Sequence, residues 1–319
     1  MRLQRILYFL LAALVAGSCS PAPSTPETPN FVFILVDDLG WTDLGCYGSS
    51  FYETPHIDRL AGKSLRFTNA YAACPVCSPT RASIMTGKYP ARTGVTDWIA
   101  GRQSYVPGLP CDMLLSRDFE LEVKLEEVTI AEVLKEAGYK TFFAGKWHLG
   151  QDSIYWPEHQ GFDINKGGWS AGSPQGGYFS PYINPRLESG PEGECLTDRL
   201  TDESIRFLEE HGDGPFFLYL SYYTVHNPQQ ARPALIEKYQ RKLDSLELDP
   251  ATMETTDREW IRYAPPNGRY VERVQQGHPV YAGMIETLDT NVGRLMQKLE
   301  ELDLDQNTIV FFMSDNGGL

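Results

Sequence analysis

Apolar positions along this chain fall in short unbroken runs, separated by segments whose apolar residues recur at helical spacing. Phe31-Val32-Phe33-Ile34-Leu35-Val36 is continuous and ends abruptly at Asp37-Asp38. A run of that length without polar alternation predicts a central strand covered on both faces. Thr141 to Ala144 and Phe216 to Leu220 predict further short buried strands, and residues 54 to 62 and 128 to 137 carry helical spacing. The clearest amphipathic helix spans 283 to 302, where Ile285, Leu288, Val292, Leu295 and Leu299 mark one face. Asn307 to Met313 then predicts another core strand, closed by Ser314-Asp315-Asn316. This alternation argues an α/β fold with a mostly parallel sheet flanked by helices. Segments 165 to 191 and 227 to 280, rich in Gly, Pro and aromatics, read as loops of the kind that build sites at the carboxyl ends of strands. The chain has no internal repeat.

The start of the chain departs from this pattern. Arg2 and Arg5 precede an apolar run from Ile6 to Val15, and Ala16-Gly17-Ser18 lead into Cys19, so residues 1–18 read as an export signal. Ala16-Gly17-Ser18-Cys19 resembles a bacterial lipobox, with Ala16 where Leu is more usual. Lipid attachment at Cys19 therefore competes with ordinary cleavage. The run is too short for the roughly 20 apolar residues of a spanning helix. Pro21, Pro23, Pro26 and Pro29 make 19–29 an extended linker. The expectation is an exported protein of a bacterial periplasm or cell envelope, touching a membrane only through a lipid anchor.

Composition adds limits. The chain is 42% apolar and 22% charged, ordinary for a globular protein. Its formal charge of −14 becomes −16 once residues 1–18, with Arg2 and Arg5 and no acid, are removed. That balance excludes nucleic acid as an expected partner and requires any anion-handling pocket to concentrate its few cations. Setting aside Cys19 and Cys77 leaves Cys46, Cys74, Cys111 and Cys195. Export permits disulfides among them; reduced, buried thiols are an equal alternative.

Candidate chemistry gathers at a few points. Pro79 suits a first helical position, and Ala82 to Met85 continue a helix that Gly87 would stop. Cys77 would then sit just before a helix N-terminus, where unpaired N–H groups favour an anion, with Arg81 about one turn on. A buried structural thiol is the bland alternative. Cys74-Pro75-Val76-Cys77 also spells Cys-x-x-Cys, but no second such pair exists to complete a zinc site, and a disulfide would block chemistry at Cys77. Asp37, Asp38, Asp315 and Asn316 offer oxygen ligands at the ends of two strands, a set suited to Ca²⁺, although acidic pairs at strand ends are commonly solvated turns.

Cys77-Ser78-Pro79-Thr80-Arg81, running on through Ala82-Ser83-Ile84-Met85-Thr86-Gly87, resembles the modification signature of formylglycine-dependent sulfatases of the alkaline phosphatase superfamily. Gly138 to His148, ending Gly145-Lys146-Trp147-His148, resembles that family's second signature, and His226 in Thr224-Val225-His226-Asn227-Pro228 corresponds to an active-site histidine. The resemblance runs from about residue 30 to the end, and implies an alkaline phosphatase-like sheet and one Ca²⁺ held by Asp37, Asp38, Asp315, Asn316 and the converted Cys77. It implies that a formylglycine-generating or anaerobic sulfatase-maturating enzyme converts Cys77 to an aldehyde. The hydrated aldehyde, positioned by calcium and Arg81, would attack sulfur while Lys146 and His226 bind sulfate oxygens and help the alcohol leave. His148 would then act as base, expelling sulfate and restoring the aldehyde.

The chain stops at Gly317-Gly318-Leu319, immediately after the Asp-Asn pair. Sulfatases continue beyond this point, with a second active-site lysine and a smaller C-terminal subdomain, so the expectation for residues 30–319 is a catalytic domain truncated at its C-terminus. Sulfate-ester hydrolysis on a sulfated carbohydrate or aryl sulfate is the leading expectation. A phosphonate or phosphate diester hydrolase of the same superfamily, and an inactive product, are the alternatives.

Overall fold

The computed structural model describes residues 28–105, 117–247, 254–255 and 272–318. The export signal, Cys19, most of the linker, Cys111 and Leu319 lie outside them.

The continuous apolar runs become four strands of one five-stranded sheet, and the short polar segment Ile164–Lys166, partly within the predicted loop 165 to 191, adds an edge strand. In chain order these are β1 (Asn30–Val36), β2 (Lys140–Gly145), β3 (Ile164–Lys166), β4 (Phe216–Ser221) and, beyond a two-residue antiparallel pair β5 (Glu254–Thr255) and β6 (Glu272–Arg273), β7 (Thr308–Ser314). The order across the main sheet is β3-β2-β4-β1-β7, and every pairing in it is parallel. The predicted α/β architecture is therefore the observed one.

Side chains of β1 split between two cores, which is why its sequence shows no polar alternation. Val32, Ile34 and Val36 face one layer with Phe142, Ala144, Leu218 and Leu220. Helices α5 (Leu196–His211) and α7 (Pro279–Glu301) close it with Leu200, Phe207, Leu288, Val292 and Leu295. Each fully buried Leu of this kind contributes about 2 kcal/mol. Leu35, Phe143, Phe217 and Tyr219 face the other layer with Ala82 and Met85 of α2 (Cys77–Thr86) and Ala131 of α4 (Ile130–Glu136). The remaining α-helices among the described residues are α1 (Pro55–Gly62), α3 (Pro90–Thr93) and α6 (Pro233–Ser245). No helix among the described residues is long and apolar enough to cross a membrane.

Two sequence expectations need correction. Segment 227 to 280 is not all loop, because α6 lies within it, with Leu235, Tyr239 and Leu243 at four-residue intervals and Tyr239 buried. Helix α2 begins at Cys77 with extended Val76 as its N-cap, so Pro79 is the third helical residue rather than the first. Proline is tolerated there because first-turn N–H groups have no intrahelical acceptor. Of the two alternatives left open for the cysteines, the reduced one holds among those described, since Cys46, Cys74, Cys77 and Cys195 are free thiols, Cys195 buried and the other three half-buried.

Candidate active site

The parallel register brings the chain's acidic positions together. Val36 pairs with Ser314 at the ends of β1 and β7, so Asp37 and Asp315 leave the sheet side by side. Their backbones are pinned there. Asp315 donates its N–H to Val36 O at 3.0 Å, and Asp37 donates to Thr224 O at 3.0 Å. Asp38 takes φ 56°, an uncommon conformation for a non-glycine residue, and its N–H points at Asp315 Oδ1, 3.3 Å away.

Strand β2 delivers Lys146 and His148 to the same end. Gly145 at φ 104° turns the chain out of the strand, and Lys146 N–H then bonds Ser221 O at 2.8 Å. A Cβ on Gly145 would lie 1.8 Å from that carbonyl oxygen, so only glycine permits this approach.

Arg81, one turn into α2, ties four strand ends together. Its Nε and Nη2 donate to Asp315 Oδ2 at 3.0 and 2.8 Å, and Nη2 also reaches Asp37 Oδ1 at 3.2 Å. Nη1 donates to Lys146 O at 2.8 Å and to Ser221 Oγ at 2.7 Å. The Lys146 ammonium donates to both oxygens of Asp37, at 2.8 and 2.7 Å. Both cations are buried within the acidic cluster instead of lining an open pocket. Burial acts first to push Asp37 well above its usual 3.8, and Lys146 is the strongest influence holding it down. Burial would also raise Asp315, but the Arg81 charge followed by Lys146 leaves it below the usual carboxylate value.

Cys77 Sγ and carboxylate oxygens of Asp37 and Asp315 lie within 4.8 Å of one another, the arrangement among the described residues that could hold a metal ion. Asn316 is adjacent. Its Nδ2 donates to Asp38 Oδ1 at 2.7 Å, while its Oδ1 is buried without a hydrogen-bond partner. A buried amide oxygen lacking a donor, beside three carboxylates, fits a hard oxygen-seeking cation. Burial pushes the Cys77 thiol above its usual value, so the unmodified sulfur is held protonated and is a poor nucleophile at neutral pH.

The two histidines present defined tautomers. His148, at φ 57°, has Nε2 3.3 Å from Ile99 O. A carbonyl only accepts, so Nε2 carries the proton and Nδ1 offers a lone pair; Nδ1 is buried with no partner. Burial, then the Lys146 charge, drives His148 well below 6.5, leaving it neutral. His226 Nδ1 lies 2.8 Å from Asn227 O, which likewise assigns that proton, and Nε2 is 3.7 Å from Asp38 Oδ2. Burial lowers His226 as well, with the Asp38 charge opposing.

Asp37, Asp38, Cys77, Arg81, Lys146, His148, His226, Asp315 and Asn316 therefore meet at one end of the sheet. Sequence reading did not single out the partners that place them. Ser221 could have been noticed as a hydroxyl closing a buried apolar run. Tyr178, whose single hydroxyl proton is shared between Tyr223 O at 2.6 Å and His226 O at 2.8 Å, and Trp169, whose carbonyl accepts the His148 N–H at 3.2 Å, sit in loops without a recognisable signal.

This arrangement has relatives. A chain of 31% identity, the human N-acetylgalactosamine-6-sulfatase, aligns over 93% of this chain and 51% of its own length. An arylsulfatase of Hemicentrotus pulcherrimus is also 31% identical, over 97% of this chain and 50% of its own. The crystal structure of Ps i-CgsB in complex with k-i-k-neocarrahexaose superposes with a TM-score of 0.67 at 29% identity, covering 92% of this chain and 59% of that one. The chain thus spans about half the length of the curated relatives it matches. The family model described as Sulfatase matches residues 29–319, and the chain belongs to the sulfatase family, within the alkaline phosphatase-like superfamily.

Proposed function

We propose that this chain carries the catalytic centre of a sulfuric ester hydrolase acting on a sulfated carbohydrate, with residue 77 as nucleophile. The observation that carries the reading is the convergence of Cys77 Sγ with Asp37 and Asp315 within 4.8 Å, beside Arg81 and Lys146. A carbohydrate substrate is supported by the names of the similar N-acetylgalactosamine-6-sulfatase and of the Ps i-CgsB complex. Because the relatives are about twice as long, hydrolysis by this chain and its choice of sugar both belong to the proposal.

Conversion of Cys77 to formylglycine would supply, on hydration, a hydroxyl nucleophile and a second hydroxyl whose deprotonation releases sulfate. Ca²⁺, held by Asp37, Asp38, Asp315 and Asn316 with residue 77, would supply positive charge at the anionic centre. The chain's own groups do the rest. Arg81 fixes the two acidic arms from β1 and β7 relative to residue 77. Lys146 supplies the cation nearest Asp37, available to a sulfate oxygen once Asp37 is otherwise engaged. His148 Nδ1, the buried lone pair, is the atom placed to accept a proton as general base. His226 Nε2 donates to a sulfate or leaving oxygen only when the ring is protonated, a form that burial disfavours and the neighbouring Asp38 charge only partly restores.

Export, with a lipid on Cys19 as one outcome, completes the proposal. Cys19→Ser should abolish membrane retention if the lipid is attached.

The test of function is co-expression with a formylglycine-generating enzyme, peptide mass spectrometry at residue 77, and assay of sulfate release. A loss of about 18 Da at that peptide, with sulfate released from a sulfated galactosaccharide and none by Cys77→Ala, is the expected result. Hydrolysis of phosphonate esters in preference to sulfate esters would move the chain to the alternative reaction. Unconverted Cys77 beside a converted control peptide would sink the reading.

A further inference from the structure

We infer that Lys146 is the resident counter-cation of the candidate metal site, and that a divalent cation binds by displacing its ammonium from Asp37. The inference rests on the cation site of the proposed function and concerns a step before any ester is bound.

Lys146 is 1% exposed, and Asp37 accepts from Nζ through both oxygens at 2.8 and 2.7 Å. Oδ1 also accepts from Arg81 Nη2, and a cation such as Ca²⁺, about 2.3–2.6 Å from its carboxylate oxygens, would compete with these donors for the same two atoms. Asp37 already carries two positive neighbours, Lys146 and Arg81, and a divalent ion on the same buried carboxylate adds a third that repels both. Arg81 is not the group that yields, because its guanidinium is also held by Asp315, Ser221 Oγ and Lys146 O. Lys146 is the displaceable partner, since among the described residues Asp37 takes both hydrogen bonds of its ammonium.

The consequence is an ordered site. Without a divalent cation, Asp37 is neutralised internally and Lys146 is committed to it. When the cation takes Asp37, the ammonium is released beside Cys77, where an anionic ester can use it. Cation loading and the appearance of an anion-binding lysine are one event.

Calorimetric titration of Ca²⁺ into the unmodified protein tests this without substrate or aldehyde, so its failure is distinct from failure of sulfate-ester hydrolysis. Lys146→Met removes the competing charge and should bind Ca²⁺ at least about tenfold more tightly than wild type. Lys146→Arg keeps a competitor and should stay within about threefold of wild type. If Lys146→Met folds only with Ca²⁺, its unfolding on titration with a chelator is read instead, and should require more chelator than wild type. Equal or weaker Ca²⁺ binding by Lys146→Met, equal tightening by Lys146→Arg, or no Ca²⁺ binding by wild type would each overturn the inference.

Discussion

Arg81 donates to Asp315 Oδ2 from both Nε and Nη2, at 3.0 and 2.8 Å, across 234 residues of sequence. Both side chains are essentially excluded from water, and the same guanidinium reaches Asp37. Removing one partner of such a pair leaves uncompensated buried charge, which costs about 3–5 kcal/mol. Arg81→Met should therefore lower the denaturant midpoint by that equivalent. Arg81→Lys should recover only part of the loss, because an ammonium lacks the fork that engages Asp315, Ser221 and Lys146 O together. Full recovery by lysine would show that charge alone matters and that the fork does not.

Gly145 makes a second, steric prediction. An alanine Cβ there would lie 1.8 Å from the Ser221 carbonyl oxygen, on backbone at φ 104°. Neither strand end can retreat without breaking the Lys146 N–H to Ser221 O bond. Gly145→Ala should lose more than about 4 kcal/mol, and soluble expression should fall with it. A variant that unfolds with wild type in urea would contradict the geometry.

Gly172 bears on His148 instead of on the sheet. A Cβ at 172 would lie 2.4 Å from His148 Cε1 and 2.7 Å from Nε2, so the ring must turn and lose Ile99 O. The His148 backbone is anchored separately through Trp169 O. Gly172→Ala should thus leave the fold largely intact while shifting the His148 ring resonances and, in converted enzyme, lowering kcat by about 10²-fold or more. Unchanged ring resonances would mean that the loop, and not the histidine, absorbs the methyl group.

These residues also mark how far the sequence could be read. The β1 run and the α7 periodicity are legible because burial leaves a local pattern, and the Cys77 to Gly87 stretch announces its helix. The Arg81 to Asp315 contact is not legible locally. It follows from β7 pairing beside β1, an order that no run of residues encodes. Helix α5 leaves no clean apolar stripe because Thr197, Thr201, Glu203 and Ser204 share its buried face, Glu203 paired with Arg199 and Arg206. Gly172, Trp169 and Ile99 act on His148 from loops, where backbone atoms carry the contacts and side-chain identity leaves little trace.

His148 predicts a pH dependence of stability with a definite sign. Burial holds its folded value well below 6.5, so between that folded value and 6.5 the unfolded chain binds a proton that the folded chain does not. Stability therefore rises with pH through this window, is fully present above about 6.5, and is lost as pH falls, by at most about 1.4 kcal/mol per unit for one group. Asp315, with a lowered carboxylate value, contributes in the same direction but only at more acidic pH. His226 adds a smaller effect of the same sign, since it is partly exposed. His148→Gln preserves an N–H for Ile99 O and removes the titration. Urea unfolding of both proteins between about pH 7.5 and about pH 5.5 should show wild type losing stability faster than the variant. Parallel profiles would place a proton on folded His148 already in that range, and Nδ1 could not then be the free base proposed for the release of sulfate.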